Sequence, residues 1–154
     1  LDYAQLTGNE IVLDTYCGIG TIGLYMAENA KHVYGVEVVS SAIKDAKQNA
    51  TINQFENTTF VCGKAEEVIL EWKSEGIRPD VVMVDPPRKG CDETFLETIL
   101  ELNPKRIVYI SCNPSTQQRD AHILSRQYEL KEITPVDMFP QTTHIETVAL
   151  FERK

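Results

Sequence analysis

From Ile11 onward the chain alternates short apolar runs with segments of helical period, and that alternation leaves few folds open. Apolar runs of four to six residues suit buried strands, and the longer segments between them suit helices lying against a sheet. The pattern predicts strands over Ile11–Thr15, Val33–Glu37, Thr58–Cys62, Asp80–Asp85, Arg106–Ser111, Tyr128–Val136 and Thr147–Glu152. It predicts helices over Thr21–Asn29, from Ser40 or Ser41 to Asn53, and over Ala65–Ser74, Thr94–Leu102 and Thr116–Arg126, with Ser40 and Ser41 as candidate N-caps. Strand–helix alternation implies a parallel sheet covered on both faces. Only a loop around Met138–His144 separates the last two strands, so they pair antiparallel. The expected architecture is α/β and doubly wound: a Rossmann-like, mostly parallel seven-stranded sheet with one antiparallel strand near its edge. At 154 residues the chain is long enough for one such domain.

Ligands of such sheets sit at the carboxyl ends of the strands. That rule places Asp14, Glu37, Cys62, Asp85 and Cys112 on one rim. The first turn reads Asp14-Thr15-Tyr16-Cys17-Gly18-Ile19-Gly20-Thr21, where Gly18 and Gly20 let the backbone approach a ligand at a helix N-terminus. A dinucleotide site wants a third glycine for helix packing, and Gly23 fits that only loosely. Glu37 can accept hydrogen bonds from both hydroxyls of a ribose. This suits NAD and S-adenosylmethionine equally, so the choice stays open at this point. Gly63-Lys64-Ala65-Glu66 follows the third strand, where an adenine would lie.

The formal net charge of −8 argues against this domain gripping a polyanion by itself, and it suits a cationic cofactor such as a sulfonium. Cys17, Cys62, Cys91 and Cys112 are far apart and form no C-x-x-C pair, so neither a metal site nor a disulfide framework is expected. The bland reading of each is a small buried hydrophobe in a reducing cytoplasm. No apolar run approaches the roughly 20 residues of a membrane span. The chain starts at Leu1 without a methionine and reads as a piece excised from something longer.

Three downstream motifs add to the first turn: Asp85-Pro86-Pro87-Arg88-Lys89-Gly90, Ser111-Cys112-Asn113-Pro114-Ser115-Thr116 and Phe139-Pro140-Gln141-Thr142-Thr143-His144-Ile145-Glu146. Together with Tyr16-Cys17-Gly18-Ile19-Gly20-Thr21, and in this order, they resemble the catalytic domain of the RNA (uracil-5-)-methyltransferase family over nearly the whole chain. The tail is most similar to the bacterial ribosomal-RNA branch. The resemblance implies the class I S-adenosylmethionine-dependent methyltransferase fold, with Cys112 as nucleophile and Glu146 as base. It implies cofactor contacts from Tyr16, Thr21, Glu37 and Asp85, to which the turn adds Asp14, Gly18 and Gly20. Asp85 would also face the uracil, and Arg88 would pair with a carboxylate or a phosphate. The implied partner is RNA, ribosomal ahead of transfer RNA, held mainly by N-terminal and central domains outside residues 1–154, in a monomeric cytoplasmic protein without metal. The family's aromatic-Gln-x-Asn segment has no match here, since Gln5 sits in Tyr-Ala-Gln-Leu.

The chemistry calls for these residue types. Carbon 5 of uracil is a poor nucleophile until a thiolate adds at carbon 6. A base must then remove the proton from carbon 5 so that the thiolate can leave. Cysteine is the best protein nucleophile near neutral pH, and a carboxylate can serve as the base. Cys17 is the rival thiol and reads as packing beneath the glycine turn; His144 is the rival base. An amino-methyltransferase would follow the Pro-Pro pair with a stacking aromatic residue, where this chain has Arg88. A cytosine methyltransferase would want a cysteine beside that pair, and Asp85 leaves none.

Overall fold

The computed structural model describes all residues 1–154. Its elements are β1 (Ile11–Thr15), α1 (Thr21–Ala27), β2 (His32–Glu37), α2 (Ser40–Ile52), β3 (Thr58–Cys62), α3 (Ala65–Ser74), β4 (Val81–Val84), α4 (Glu93–Leu102), β5 (Arg106–Ser111), α5 (Pro114–Leu124), β6 (Tyr128–Val136) and β7 (Glu146–Arg153). They form one seven-stranded sheet in the order β3-β2-β1-β4-β5-β7-β6. The pairs among β1 to β5 are all parallel. β7 runs antiparallel to both of its neighbours. The expected mostly parallel sheet with one antiparallel strand is what the chain forms. Strand order reverses between β1 and β4, the place where a doubly wound sheet opens a crevice.

Alternation along the strands sorts the core into two layers. Leu13, Val36, Val82, Val84, Ile107 and Tyr109 pack against α3, α4 and α5. Val12, Val33 and Met83 face α1, and Phe60 joins α1 to α2. The β4–β5–β7 part of this second face carries no helix. It floors an open apolar groove of about 570 Å³ whose walls include Tyr3, Tyr25, Val108 and Val148.

Several boundaries shift by a residue or two from expectation, and three of the differences have a local reason. α1 stops at Ala27 instead of Asn29 because the Asn57 side chain donates to the carbonyls of Ala27 (2.8 Å) and Ala30 (3.0 Å). Ser40 and Ser41 lie inside α2, whose N-cap is Val39 with no side-chain cap; Glu37 accepts the Val39 N–H at 3.0 Å in their place. α5 begins at Pro114, two residues early, because Asn113 caps the Ser115 N–H at 3.2 Å and proline suits the first helical position. Gly23 also does more than expected. A Cβ there would lie 2.7 Å from Asp14 Oδ2 and 3.3 Å from Val33, so only glycine lets α1 sit this close to β1 and β2.

Candidate active site

At the crevice the turn after β1 carries three residues with positive φ: Tyr16 (60°), Gly18 (53°) and Gly20 (84°). For Tyr16 this left-handed conformation costs about 1–2 kcal/mol. Its ring is held by Phe95, centroid to centroid 5.3 Å, and burial pushes its hydroxyl pKa up, so it stays protonated. The turn is tied to β2 through Glu37, whose carboxylate accepts the N–H groups of Gly18 (3.3 Å) and Val39 (3.0 Å). Two backbone donors thus fix the carboxylate and leave lone pairs for a vicinal diol.

Tyr16, Glu37, Gly63, Lys64, Glu66 and Asp85 line a cavity of about 710 Å³, within the range of small-molecule sites. Glu37, Glu66, Asp85 and Asp92 outnumber Lys64 and Lys89 in its wall. Both lysines are occupied, Lys64 by Glu67 at 3.0 Å and Lys89 by Asp92 at 3.8 Å. The cavity therefore favours a cationic ligand.

Asp85 also lines a second cavity of about 470 Å³, with Cys112 and Glu146 as the other polar groups and Ile110, Val148 and Phe139 among its apolar walls. The register of β5 and β7 brings these groups together. Ser111 pairs with Thr147 as the last pair of the antiparallel ladder, so Cys112 leaves β5 where Glu146 enters β7, and both line this cavity. Behind them, Thr147 donates to the Ser111 carbonyl (3.3 Å) and to Gln117 Oε1 (2.7 Å), and Gln117 donates to the Tyr109 carbonyl (3.0 Å). These buried bonds lock the register that brings thiol and carboxylate to one cavity. Cys112 also immediately precedes Asn113, the N-cap of α5. Burial, and then the charge of Glu146, raises the Asp85 pKa above its ordinary value.

A model of the family described as tRNA (uracil-5-)-methyltransferase matches residues 2–154. The chain belongs to this family. An uncharacterized RNA methyltransferase of Staphylococcus epidermidis is 84% identical, and one of Staphylococcus aureus strain MRSA252 is 80% identical, each over all 154 residues. The chain covers 34% of either protein, so it spans about a third of the length of the curated relatives it matches. The tRNA (uracil-54, C5)-methyltransferase of Pyrococcus abyssi, solved with S-adenosyl-L-homocysteine, superposes with a TM-score of 0.84 at 36% identity, covering 97% of this chain and 36% of that one. An rRNA methylase of Streptococcus thermophilus shares the fold alone, with a TM-score of 0.75 at 16% identity over 99% of this chain and 92% of that one.

Within this uracil-5-methyltransferase family chain, not every expected residue reaches the cavities. Asp14 is enclosed rather than on the rim: it is 1% exposed and points at the Gly23 N–H beneath α1. Thr21 opens α1 but lines the neighbouring apolar groove. Arg88 Nη1 lies 3.4 Å from His144 Nδ1, both exposed, and neither lines the cavity that holds Cys112. Of the other thiols, Cys17 is buried with Leu24, Ile43 and Phe60, as expected for packing beneath the turn. Burial raises its pKa and pushes that of Cys91 up to about 12, so both stay protonated at neutral pH. Cys62 is exposed and donates to the Val38 carbonyl at 3.5 Å. No group of three or more His, Cys, Asp or Glu side chains is arranged to hold a metal ion, and no helix is long and apolar enough to cross a membrane. Unanticipated from sequence is a polar stripe on α5 at Asn113, Thr116, Gln117 and Asp120. Its i, i+3, i+4, i+7 spacing is the signal that could have revealed it.

Asp14 yields a pH prediction. Burial pushes its carboxyl up to about 7 from 3.8. The folded state then holds a proton that the unfolded chain releases above pH 4, so stability falls as pH rises from about 4 to 7, by on the order of 4 kcal/mol at most. Asp14→Asn, neutral at every pH, should melt several degrees above the parent at pH 8, by a smaller margin at pH 5, and close to it at pH 4 and below. Equal gaps at all these pH values in thermal denaturation would show that Asp14 does not titrate in this range.

Proposed function

We propose that this chain is the catalytic domain of an enzyme that methylates carbon 5 of a uridine in RNA, using S-adenosylmethionine and a covalent adduct on Cys112. The observation that carries the reading is the cavity at the end of the β5–β7 pairing, which Cys112, Glu146 and Asp85 line together. S-adenosylmethionine fits the larger cavity, where Glu37, fixed by the Gly18 N–H, would hold its ribose hydroxyls, Tyr16 would border the nucleoside and the acidic wall would favour its sulfonium. When bound it supplies an electrophilic methyl group. Asp85, on the wall between the cavities, would accept the imide hydrogen of uracil and orient the ring. The Cys112 thiolate adds to carbon 6, and negative charge develops at carbon 5, which takes the methyl. Glu146 removes the carbon-5 proton, the ring electrons return and the carbon–sulfur bond breaks, freeing the thiolate. The apolar walls at Ile110, Val148 and Phe139 limit water around the adduct.

With a net charge of −8, residues 1–154 are poorly suited to gripping RNA. The grip would come from the remaining two-thirds of the full-length protein. The Phe139–Glu146 tail favours ribosomal RNA as the target. The tRNA activity in the name of the Pyrococcus enzyme supports transfer RNA as the second reading. Deleting the gene should remove one 5-methyluridine from the host RNA, seen by nucleoside mass spectrometry on separated ribosomal and transfer fractions. Loss from the transfer fraction would select the second reading, and an unchanged content of both would refute the function.

Two substitutions in the full-length enzyme test the assignment of residues. Glu37→Ala should weaken S-adenosylmethionine binding by roughly 1–3 kcal/mol in calorimetry; unchanged affinity would remove Glu37 from the site. Cys62→Ser and Cys91→Ala should leave methyl transfer within a few-fold of the parent, because neither thiol opens into the cavity with Glu146.

A further inference from the structure

We propose that Asp120 is a positioning residue of this active site: its buried carboxylate ties the loop after Asp85 to the helix that begins beside Cys112. The inference rests on the assignment of Asp85 and Cys112 to one reaction. Asp85 needs such a tie, because the pairing of β4 with β5 ends at Val84↔Tyr109. The loop that follows is anchored from α5. Asp120 is 0% exposed, and its Oδ2 accepts the Cys91 N–H (2.8 Å) and the Tyr109 hydroxyl (2.6 Å). Its Oδ1 accepts Arg119 Nε at 2.8 Å, which aims the guanidinium so that Nη2 donates to the carbonyls of Lys89 (3.1 Å) and Cys91 (3.0 Å). One turn earlier, Thr116 Oγ1 and Asn113 Nδ2 donate to the Arg88 carbonyl at 3.3 and 3.2 Å.

The loop is shaped to receive this clamp. Gly90 has φ +78°, and a Cβ there would lie 2.7 Å from Arg119 Nη2 and 2.8 Å from Asp120 Oδ2. Two strand ends that must cooperate in methyl transfer, those of β4 and β5, thus converge on one buried carboxylate. Asp120→Asn keeps the shape but turns an amide donor toward either Arg119 Nε or the Cys91 N–H, so in each orientation the loop loses part of its anchor while the β5–β7 register survives.

The test uses the full-length enzyme with Asp120→Asn and, at the more exposed end of the clamp, Arg119→Met. Both variants should lose far less S-adenosylmethionine affinity than kcat, since Lys89, Gly90 and Asp92 of the loop line only one wall of that cavity and Tyr16 and Glu37 are untouched. Amide exchange should quicken at Arg88–Asp92 and not in β5. kcat for methyl transfer should fall on the order of 10–100-fold, the scale of a roughly 1 Å misplacement, with KM for RNA little changed. Parent-like exchange and kcat would overturn the proposal. So would a loss that simply tracks cofactor affinity and melting temperature. A parent enzyme that produces no 5-methyluridine would refute the proposed function, and the loop exchange would still decide whether Asp120 holds the loop.

Discussion

The Cys112→Ala enzyme is expected to lose methyl transfer by on the order of 10⁴-fold or more, as enzymes do when a covalent nucleophile is removed. Without the thiol, carbon 6 is never attacked and no charge develops at carbon 5. The variant should therefore form no covalent complex with RNA and release no tritium from carbon-5-labelled uridine, while binding S-adenosylmethionine normally. The cofactor cavity depends on Tyr16, Glu37 and Asp85 and does not include Cys112. Covalent complex formation by this variant, read on a denaturing gel, would transfer the nucleophile's role to another thiol. Cys17 would then have to leave the apolar pocket in which it is buried.

Glu146→Gln should fail at a later step and look different on the same gel. Addition of Cys112 and methyl transfer need no base at carbon 5, so both can proceed. Proton removal cannot, and the thiolate has no route out. Turnover should fall by roughly 10²–10⁴-fold, the usual contribution of a general base. A covalent protein–RNA species carrying label from a methyl-labelled cofactor should accumulate. Normal turnover would place the base elsewhere. His144 would be the first alternative, although it is exposed beside Arg88 and does not line the cavity.

Much of the fold was legible because strand and helix periods alternate cleanly. The antiparallel last strand followed from the missing helix between β6 and β7. The misreadings have tertiary causes. Asp14 precedes the glycine turn and looks like a rim residue, yet it stands one position before the end of β1 on the face covered by α1, so Gly23 draws the helix down over it. α5 starts at Pro114, two residues before the expected Thr116, because Asn113 caps it. The site residues came from motif order, not from proximity. Cys112 and Glu146 are brought together only by a strand pairing that Gln117 and Thr147 secure from behind. Asp120 escaped notice because a charged residue on a helix is usually solvated; its place in the Asn113–Thr116–Gln117–Asp120 polar stripe was the one local signal, and the closure by the Gly90 loop is tertiary.

The covalent step can be read directly. The full-length enzyme would be incubated with methyl-labelled S-adenosylmethionine and an RNA carrying 5-fluorouridine at the target position. Fluorine replaces the hydrogen that Glu146 would remove, so the adduct cannot resolve. Peptide mass spectrometry should find a single cross-link, on Cys112, bearing both the pyrimidine and the labelled methyl group. A cross-link on Cys17, Cys62 or Cys91, or methylation of natural RNA by an enzyme that forms no cross-link to the fluorinated one, would contradict the mechanism.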